Sequence, residues 1–288
     1  MKNDVLSVDG KKSEQIELPN VFNTKINAKL IHKAYINLQS HGFQKHSTHP
    51  TAGQDVVADS NDPPTGRGIS RIARMKGGGG GRQGQAGEVA GTRGGRQAHR
   101  PYANKVIYKK INKKENKLAL CSAIAATASK ELVQRRGHKI EGIDSLPIIV
   151  SDDIENVSKT NEMIGVLDSL KLTQDAERLD SRKKRTGKVA LRGRVSKIGK
   201  STLFVVSNTE KLSKACSGIP GIDVCKAKDL SVLNLAPGGT LIRLTVFSKK
   251  AIEEISEIKS LGMVVASKSM YLARYVTSTP AFSNSSTS

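Results

Sequence analysis

The fold class follows from one segment, Leu203-Phe204-Val205-Val206-Ser207-Asn208-Thr209-Glu210. Its first four residues are large and apolar without alternation, which is typical of a strand buried on both faces. Ser207 and Glu210 have the spacing of a capping box, in which each side chain bonds the backbone N–H of the other residue. The segment therefore predicts a buried strand that leads directly into a short helix, with Gly218 at the end of that helix.

The same order of strand and helix recurs on both sides of this segment. The apolar runs that predict further strands lie at 5–8, 147–150, 222–225 and 241–247. A helical face follows the last run and is formed by Ala251, Ile252, Ile255 and Ile258. Short apolar strands that alternate with helices are typical of a parallel sheet covered on both faces. We therefore expect an α/β fold, with a parallel sheet in a Rossmann-like three-layer globular domain.

A long segment without apolar character interrupts this pattern. Residues 44–101 contain no aromatic side chain, and 12 of the 30 residues from 66 to 95 are glycine. Such a segment is costly to order and cannot build a core of its own. We expect an extended Gly/Arg-rich loop at 44–105, either disordered or ordered by a partner. The globular α/β domain would then consist of 1–43 and 106–262, followed by a flexible Ser/Thr-rich tail at 263–288.

The net charge of the chain is +21, and most of the surplus lies in two segments. Between Thr65 and Lys117 there are 14 Lys or Arg against two acids, and between Arg178 and Lys200 there are ten against one. Clustered cations neutralise phosphates, and the planar fork of Arg grips them with two hydrogen bonds. The side chains predicted to bind RNA are Arg67, Arg71, Arg74, Lys76, Arg82, Arg93, Arg96, His99, Arg100, Lys183, Lys184, Arg185, Arg192 and Arg194.

The other motifs of the sequence do not have the spacing that nucleotide-binding or metal sites require. Gly199-Lys200-Ser201-Thr202 ends like a P-loop, but position 194 is Arg where the motif requires Gly. The three cysteines form no CxxC pair, which fits a reducing cytoplasm. His41, His46 and His49 have only Asp55 nearby as a further metal ligand. We expect no catalytic residue, no cofactor, no metal site and no membrane span.

Two motifs inside the Gly/Arg-rich loop are specific. Gly66-Arg67-Gly68-Ile69-Ser70-Arg71-Ile72-Ala73-Arg74-Met75-Lys76-Gly77-Gly78 is followed by Gly91-Thr92-Arg93-Gly94-Gly95-Arg96-Gln97-Ala98-His99-Arg100-Pro101. Shorter matches lie at 118–127, 136–138, 235–239 and 244–247. Over roughly residues 5–260 the chain resembles the universal large-subunit ribosomal protein four family, in its archaeal and eukaryotic form.

This resemblance implies a cytoplasmic protein whose α/β domain lies on the solvent side of the large ribosomal subunit. Its loop would run through large-subunit ribosomal RNA to the polypeptide exit tunnel. The implied partners are that RNA, neighbouring large-subunit proteins including tunnel protein twenty-two, and the nascent polypeptide. The tip at the tunnel would comprise Gly77, Gly78, Gly79, Gly80, Gly81, Arg82, Gln83, Gly84 and Gln85.

The leading interpretation is a structural one, in which the chain binds and orders ribosomal RNA during subunit assembly and shapes the tunnel. A free RGG-like RNA-binding protein or RNA chaperone is the alternative, although Arg93-Gly94-Gly95 is the only strict RGG triplet. An α/β nucleotide-dependent enzyme is the third interpretation, and the failed P-loop spacing counts against it.

Overall fold

Parallel strands form the centre of the larger part of the molecule. The computed structural model describes residues 2–56, 58–60, 65–68, 71–76, 81–179, 184–196, 199–240 and 242–257. The strands are β1 (Lys2–Leu6), β2 (Lys12–Glu17), β3 (Ala58–Asp59), β4 (Arg74–Met75), β5 (Ile148–Val150), β6 (Leu203–Val206), β7 (Asp223–Lys226) and β8 (Thr245–Ser248). Six of them form one sheet in the order β2-β1-β5-β8-β6-β7. Every pairing in this sheet is parallel except that of β1 with β2.

Helices connect these strands. They are α1 (Ala28–Gln39), α2 (Lys113–Thr127), α3 (Lys130–Arg135), α4 (Thr160–Ser169), α5 (Thr173–Glu177), α6 (Lys188–Leu191), α7 (Glu210–Cys216), α8 (Val232–Leu235) and α9 (Lys249–Glu257). None of the helices in the described ranges is long and apolar enough to cross a membrane.

Both faces of the sheet are buried. Side chains of successive strand residues point to opposite faces, so Leu203 and Val205 pack into one hydrophobic cluster, and Phe204 and Val206 into the other. The first cluster includes residues of α1, α2, α8 and α9, and the second includes residues of α4 and α7. The predicted α/β fold, with a parallel sheet between two helical layers, is therefore confirmed.

The edge strand β2 was not predicted from the sequence. It runs antiparallel to β1 and consists mainly of exposed polar residues, so it has no apolar run to mark it. The predicted strand at 241–247 is shorter than expected and begins at Thr245. Ile258, predicted for the helical face after this strand, lies outside the described residues.

The capping box predicted at Ser207 and Glu210 is wrong. The helix after β6 begins at Glu210, its N-cap is Thr209, and the backbone N–H of Glu210 donates to Asn208 Oδ1 at 3.1 Å. Ser207 is occupied elsewhere, because its hydroxyl donates to Glu254 of α9. A tertiary contact therefore replaces the local one that the spacing predicts.

A polar network is buried beside the amino end of β6. Asp175 of α5 is fully buried and accepts hydrogen bonds from His138 Nδ1 at 3.0 Å, Ser201 Oγ at 2.6 Å and Arg178 Nε at 3.1 Å. Burial alone would raise the pKa of Asp175, but the bonds from His138 and Ser201 and the charge of Arg178 lower it to about 2. The carboxylate is therefore ionised and accepts from every partner around it.

Arg243 is buried beside this network, just before β8. Its guanidinium donates to Asp223 Oδ2 at 2.5 Å, to the carbonyl of Thr202 at 3.0 Å and to that of Gly221 at 2.6 Å. Its Nε also donates to the carbonyl of Ser201. A buried charge is tolerated where it is paired and hydrogen-bonded in this way.

The chain divides into two compact units, one formed by 1–39 with 109–288 and the other by 40–108. We call the second the small unit and the first the large unit. In the small unit β3 pairs antiparallel with β4, Ala58 opposite Met75 and Asp59 opposite Arg74. Ala73 is the single buried apolar residue in the described part of the small unit. Backbone pairing, rather than a hydrophobic core, therefore organises it.

Candidate nucleic-acid interface

A hairpin stem gives the small unit its shape. The backbone N–H of Met75 donates to Gln85 O at 2.9 Å, and that of Gly84 donates to Met75 O at 3.0 Å. The N–H of Gly87 donates to Ala73 O at 2.9 Å. Residues 73–75 and 84–87 are thus the two sides of a stem, and 76–83 connect them.

Two glycines allow close packing around this stem. A Cβ on Gly87 would lie 2.8 Å from Ala58 Cβ and 2.8 Å from Met75 Sδ. Gly53 has a φ of +82°, and a Cβ there would lie 2.4 Å from the carbonyl oxygen of Gly95. Larger residues at either position would push segments of the small unit apart.

The structure exposes the cations that the sequence assigns to RNA in the small unit. Those with exposed side chains are Arg67, Arg71, Arg74, Lys76, Arg82, Arg93, Arg96 and His99. Arg100 is half-buried, and its guanidinium lies 5.3 Å from the ring centroid of Tyr102 in a cation–π contact.

Some of these cations also stabilise the small unit. Arg74 Nη1 donates to the carbonyl of Gly84 at 3.2 Å, across the stem. Arg71 Nη2 donates to Thr65 Oγ1 at 3.2 Å. Arg100 Nη1 donates to the carbonyl of His49 at 3.4 Å. Replacing any of these arginines would disturb the small unit as well as its contacts with a partner.

Lys76 forms an ion pair with Asp59, which sequence reasoning missed. The hydrogen bond from Lys76 and its charge lower the pKa of the Asp59 carboxyl. Asp59 lies 17 residues before Lys76 in the chain, and only the pairing of β3 with β4 brings them together. Lys76 thus meets any partner as half of an exposed ion pair.

Four arginines of the small unit differ from the rest, namely Arg67, Arg82, Arg93 and Arg96. Their side chains have no hydrogen-bond or ion-pair partner among the described residues. Backbone hydrogen bonds shape the chain around 88–96, where Arg96 N donates to Glu88 O at 3.0 Å and Gly95 N to Thr92 O at 3.1 Å. In this folded arrangement Arg93 and Arg96 are exposed at the surface of the small unit.

The second basic segment belongs to the large unit. Lys184, Arg192 and Arg194 are exposed, Arg185 is half-buried, and Lys183 lies outside the described residues. A backbone bond from Arg185 N to Val195 O at 2.8 Å closes this segment around α6. Its described part thus places Lys184, Arg192 and Arg194 on the surface of the large unit.

The residues predicted to form the tip belong to two different parts of the hairpin. Gly84 and Gln85 are part of the stem, where both form backbone hydrogen bonds with Met75. Gly81, Arg82 and Gln83 lie in the connection and are exposed, and 77–80 lie outside the described residues.

Within the described ranges, no group of three or more His, Cys, Asp or Glu side chains is arranged so that it could hold a metal ion. His49 Nδ1 lies 3.7 Å from Asp55 Oδ2, as a single exposed pair.

Comparison with known proteins agrees with this architecture. The model of the ribosomal protein L4/L1 family matches residues 16–258. The large ribosomal subunit protein uL4 of Sulfurisphaera tokodaii is 41% identical over 254 residues, which cover 88% of this chain and 92% of that protein. The uL4 of Methanococcus vannielii is 39% identical, with 88% and 98% covered, and that of Methanospirillum hungatei is 41% identical, also with 88% and 98% covered. The chain described here therefore belongs to the ribosomal protein L4/L1 family.

Proposed function

We propose that this chain is a structural constituent of the large ribosomal subunit, where it binds ribosomal RNA and aids assembly of the particle. Its membership of the L4/L1 family supports this role, as does the name shared by its relatives. The observation that carries the RNA contact is the set of exposed arginines on the small unit that lack an acidic partner in the described part of the chain. The charge of these arginines is therefore available for contacts with phosphate groups.

The small unit has few apolar side chains with which to build a core of its own, which is consistent with a segment that folds against RNA. A segment whose described residues include a single buried apolar side chain gains little from folding by itself, whereas each phosphate contact releases counterions. We infer that RNA provides the surface against which the small unit orders, and that the basic segment around α6 makes further RNA contacts.

We further propose that the connection 76–83 reaches the polypeptide exit tunnel. It joins the two sides of the stem in the sequence, and five of its eight residues are glycine, whose lack of a side chain would leave the tunnel bore open. At that place its neighbours are the nascent polypeptide and other tunnel proteins, including protein twenty-two of the large subunit.

A free RGG-like RNA-binding protein or chaperone is not favoured. Such segments act as flexible repeats, whereas Arg93-Gly94-Gly95 is a single triplet held in a turn by the bond from Gly95 N to Thr92 O. The role proposed here is structural, and it requires no catalytic group and no cofactor.

Sedimentation through a sucrose gradient tests the proposed function. We expect the tagged chain to travel with large subunits and to remain there after a high-salt wash, since it is embedded in the particle. A chain that stays in the light fractions, or leaves the subunit at moderate salt, would support the free chaperone instead.

Amide hydrogen exchange tests the ordering of the small unit. The amides of Met75, Gly84 and Gly87 bond across the stem, but a lone hairpin is only marginally stable, and Ala73 is the single buried apolar residue in the described part of the small unit. We expect these amides to exchange rapidly in the free chain and slowly in the subunit, while the amide of Val205 in β6 is protected in both states. Strong protection of the stem in the absence of RNA would contradict this prediction.

A further inference from the structure

A basic cleft opens on the large unit beside the amino ends of the parallel strands. It has a volume of about 300 Å³ and is lined by Arg136, Arg178, Lys200, Pro237 and Thr240. Lys200 precedes β6, and the buried Arg243 behind it precedes β8. Ligands of open α/β sheets usually bind outside the carboxyl ends of the strands, so this cleft is not the usual site of the fold.

Three motifs without a role in the proposed function meet at this cleft. Arg136 belongs to the short match at 136–138, and Pro237 to the match at 235–239. Arg136 Nη2 donates to the carbonyl of Pro237 at 2.8 Å, which joins the two. Lys200 comes from the segment that fails as a P-loop, and it supplies the third cation.

Hydrogen bonds to neighbouring groups fix the positions of Arg178 and Lys200 in the cleft. Arg178 Nε donates to the buried Asp175, and Arg178 Nη2 donates to the carbonyl of Lys200 at 3.2 Å. Lys200 Nζ donates to Asp223 Oδ2 at 2.7 Å, and the same oxygen accepts from Arg243. Side chains fixed in this way lose little entropy when an anion arrives.

Positive charge predominates among these groups. The side chains just named include four cations, Arg136, Arg178, Lys200 and Arg243, against two carboxylates, Asp175 and Asp223. Burial lowers the pKa of Arg136, and the nearby charges of Arg243 and Arg178 lower it further. An anion in the cleft would relieve this repulsion.

We propose that the basic cleft binds a phosphate group of RNA, held by Arg136, Arg178 and Lys200. The inference rests on the proposed function in one respect, namely that the phosphate belongs to an RNA backbone. The cleft offers charge and N–H donors for phosphate oxygens. Its five lining residues include no aromatic ring on which a base could stack, so it holds the backbone without reading sequence.

Salt-dependent binding of the full-length chain to a mixed-sequence RNA hairpin tests this proposal. The variant is Lys200→Ala, and the matched control is Lys249→Ala. Lys200 is 45% exposed and pairs with Asp223, while Lys249 is 37% exposed and pairs with Glu14 at 2.6 Å. Each variant removes one charge and one exposed ion pair, but Lys249 follows the carboxyl end of β8, away from the cleft.

We expect Lys200→Ala to weaken RNA binding roughly fivefold to tenfold near 0.1 M salt, and to make the slope of log K against log salt shallower by about one. Lys249→Ala should change neither quantity appreciably. Asp223 retains Arg243 as a partner in the first variant, so the fold should survive, and a thermal melt checks this. Lys200→Glu is the second variant and should weaken binding further, because it adds a carboxylate to the cleft.

Other outcomes would overturn the inference. Equal losses in Lys200→Ala and Lys249→Ala would mean that net charge alone matters, which rejects the cleft and leaves the proposed function standing. If inorganic phosphate raises the melting temperature of the unaltered chain but not that of Lys200→Ala, while RNA binding is the same in both, the site takes a free oxyanion and the RNA assignment is wrong. Failure of the unaltered chain to bind RNA would reject the cleft and the proposed function together.

Discussion

Replacing Arg67, Arg93 and Arg96 together with alanine is expected to remove most of the chain from purified large subunits. All three side chains are exposed, and none bonds another group in the described residues, so the fold of the small unit should not change. A hydrogen bond to a charged group contributes about 1.5 kcal/mol at the low end, so three lost phosphate contacts amount to roughly 4.5 kcal/mol. That corresponds to a rise in Kd of somewhat more than a thousandfold. The measurement is the amount of each variant in large subunits relative to a resident subunit protein.

Two matched variants separate this effect from a loss of charge. Lys2, Lys12 and Lys249 of the large unit are exposed and pair with carboxylates, and replacing these three with alanine removes the same net charge. Incorporation of that variant should remain close to that of the unaltered chain. Replacing the three arginines with lysine should give an intermediate result, because lysine keeps the charge and lacks the fork. Normal incorporation of the alanine variant would refute the assignment of these arginines to RNA.

Shortening the hairpin connection should have the opposite consequence. Deleting residues 78–81 leaves four residues between Met75 and Gly84, a length that hairpin loops commonly adopt, so the stem can still close. The change in loop-closure entropy is below about 1 kcal/mol. We expect this variant to enter subunits and to alter sensitivity to tunnel-binding drugs or stalling of the nascent chain. If it failed to enter subunits, the connection would itself be an anchor.

The sequence predicts those parts of the fold that depend on burial. β5, β6 and β8 are buried on every residue, so their apolar runs mark them wherever they occur. β2 is an exposed edge strand, and its polar residues are compatible with a loop. The capping box predicted at Ser207 is wrong for a different reason. The partner of Ser207 is Glu254, which lies 47 residues later, so no local sequence pattern indicates the contact.

The candidate sites also differ in how far the sequence predicts them. Composition alone predicts exposed arginines at 67–100, because a Gly-rich segment has no interior in which to bury them. The stem is not predictable in this manner, since Gly84, Gln85 and Gly87 carry no strand propensity and are paired through the backbone. The basic cleft is still harder to foresee, because Arg136, Arg178 and Lys200 come from three segments that only the folded sheet brings together.

Removing the carboxylate of Asp175 is expected to cause the largest loss of stability of any single substitution proposed for this chain. Asp175→Ala leaves His138, Ser201 and Arg178 without their shared acceptor, and His138 Nε2 already lacks a partner among the described residues. Breaking a buried charge network from one side costs about 3–5 kcal/mol. Chemical denaturation should show this loss, whereas Asp168→Ala, which removes an exposed carboxylate bonded to Thr173, should cost less than about 1 kcal/mol.

The same carboxylate makes stability depend on acid. Asp175 has a pKa of about 2 in the folded chain and an ordinary value of 3.8, so the unfolded chain binds its proton first as the pH falls. Its contribution of roughly 2 kcal/mol is therefore complete above about pH 5 and is lost between there and pH 2. Asp175→Asn keeps the shape without the charge, and we expect its stability deficit to be constant near neutral pH and to shrink below pH 4. A deficit that persists unchanged to pH 2 would mean that folding does not lower the pKa of Asp175, and that the ionised form of the carboxylate is not what stabilises the network of His138, Ser201 and Arg178.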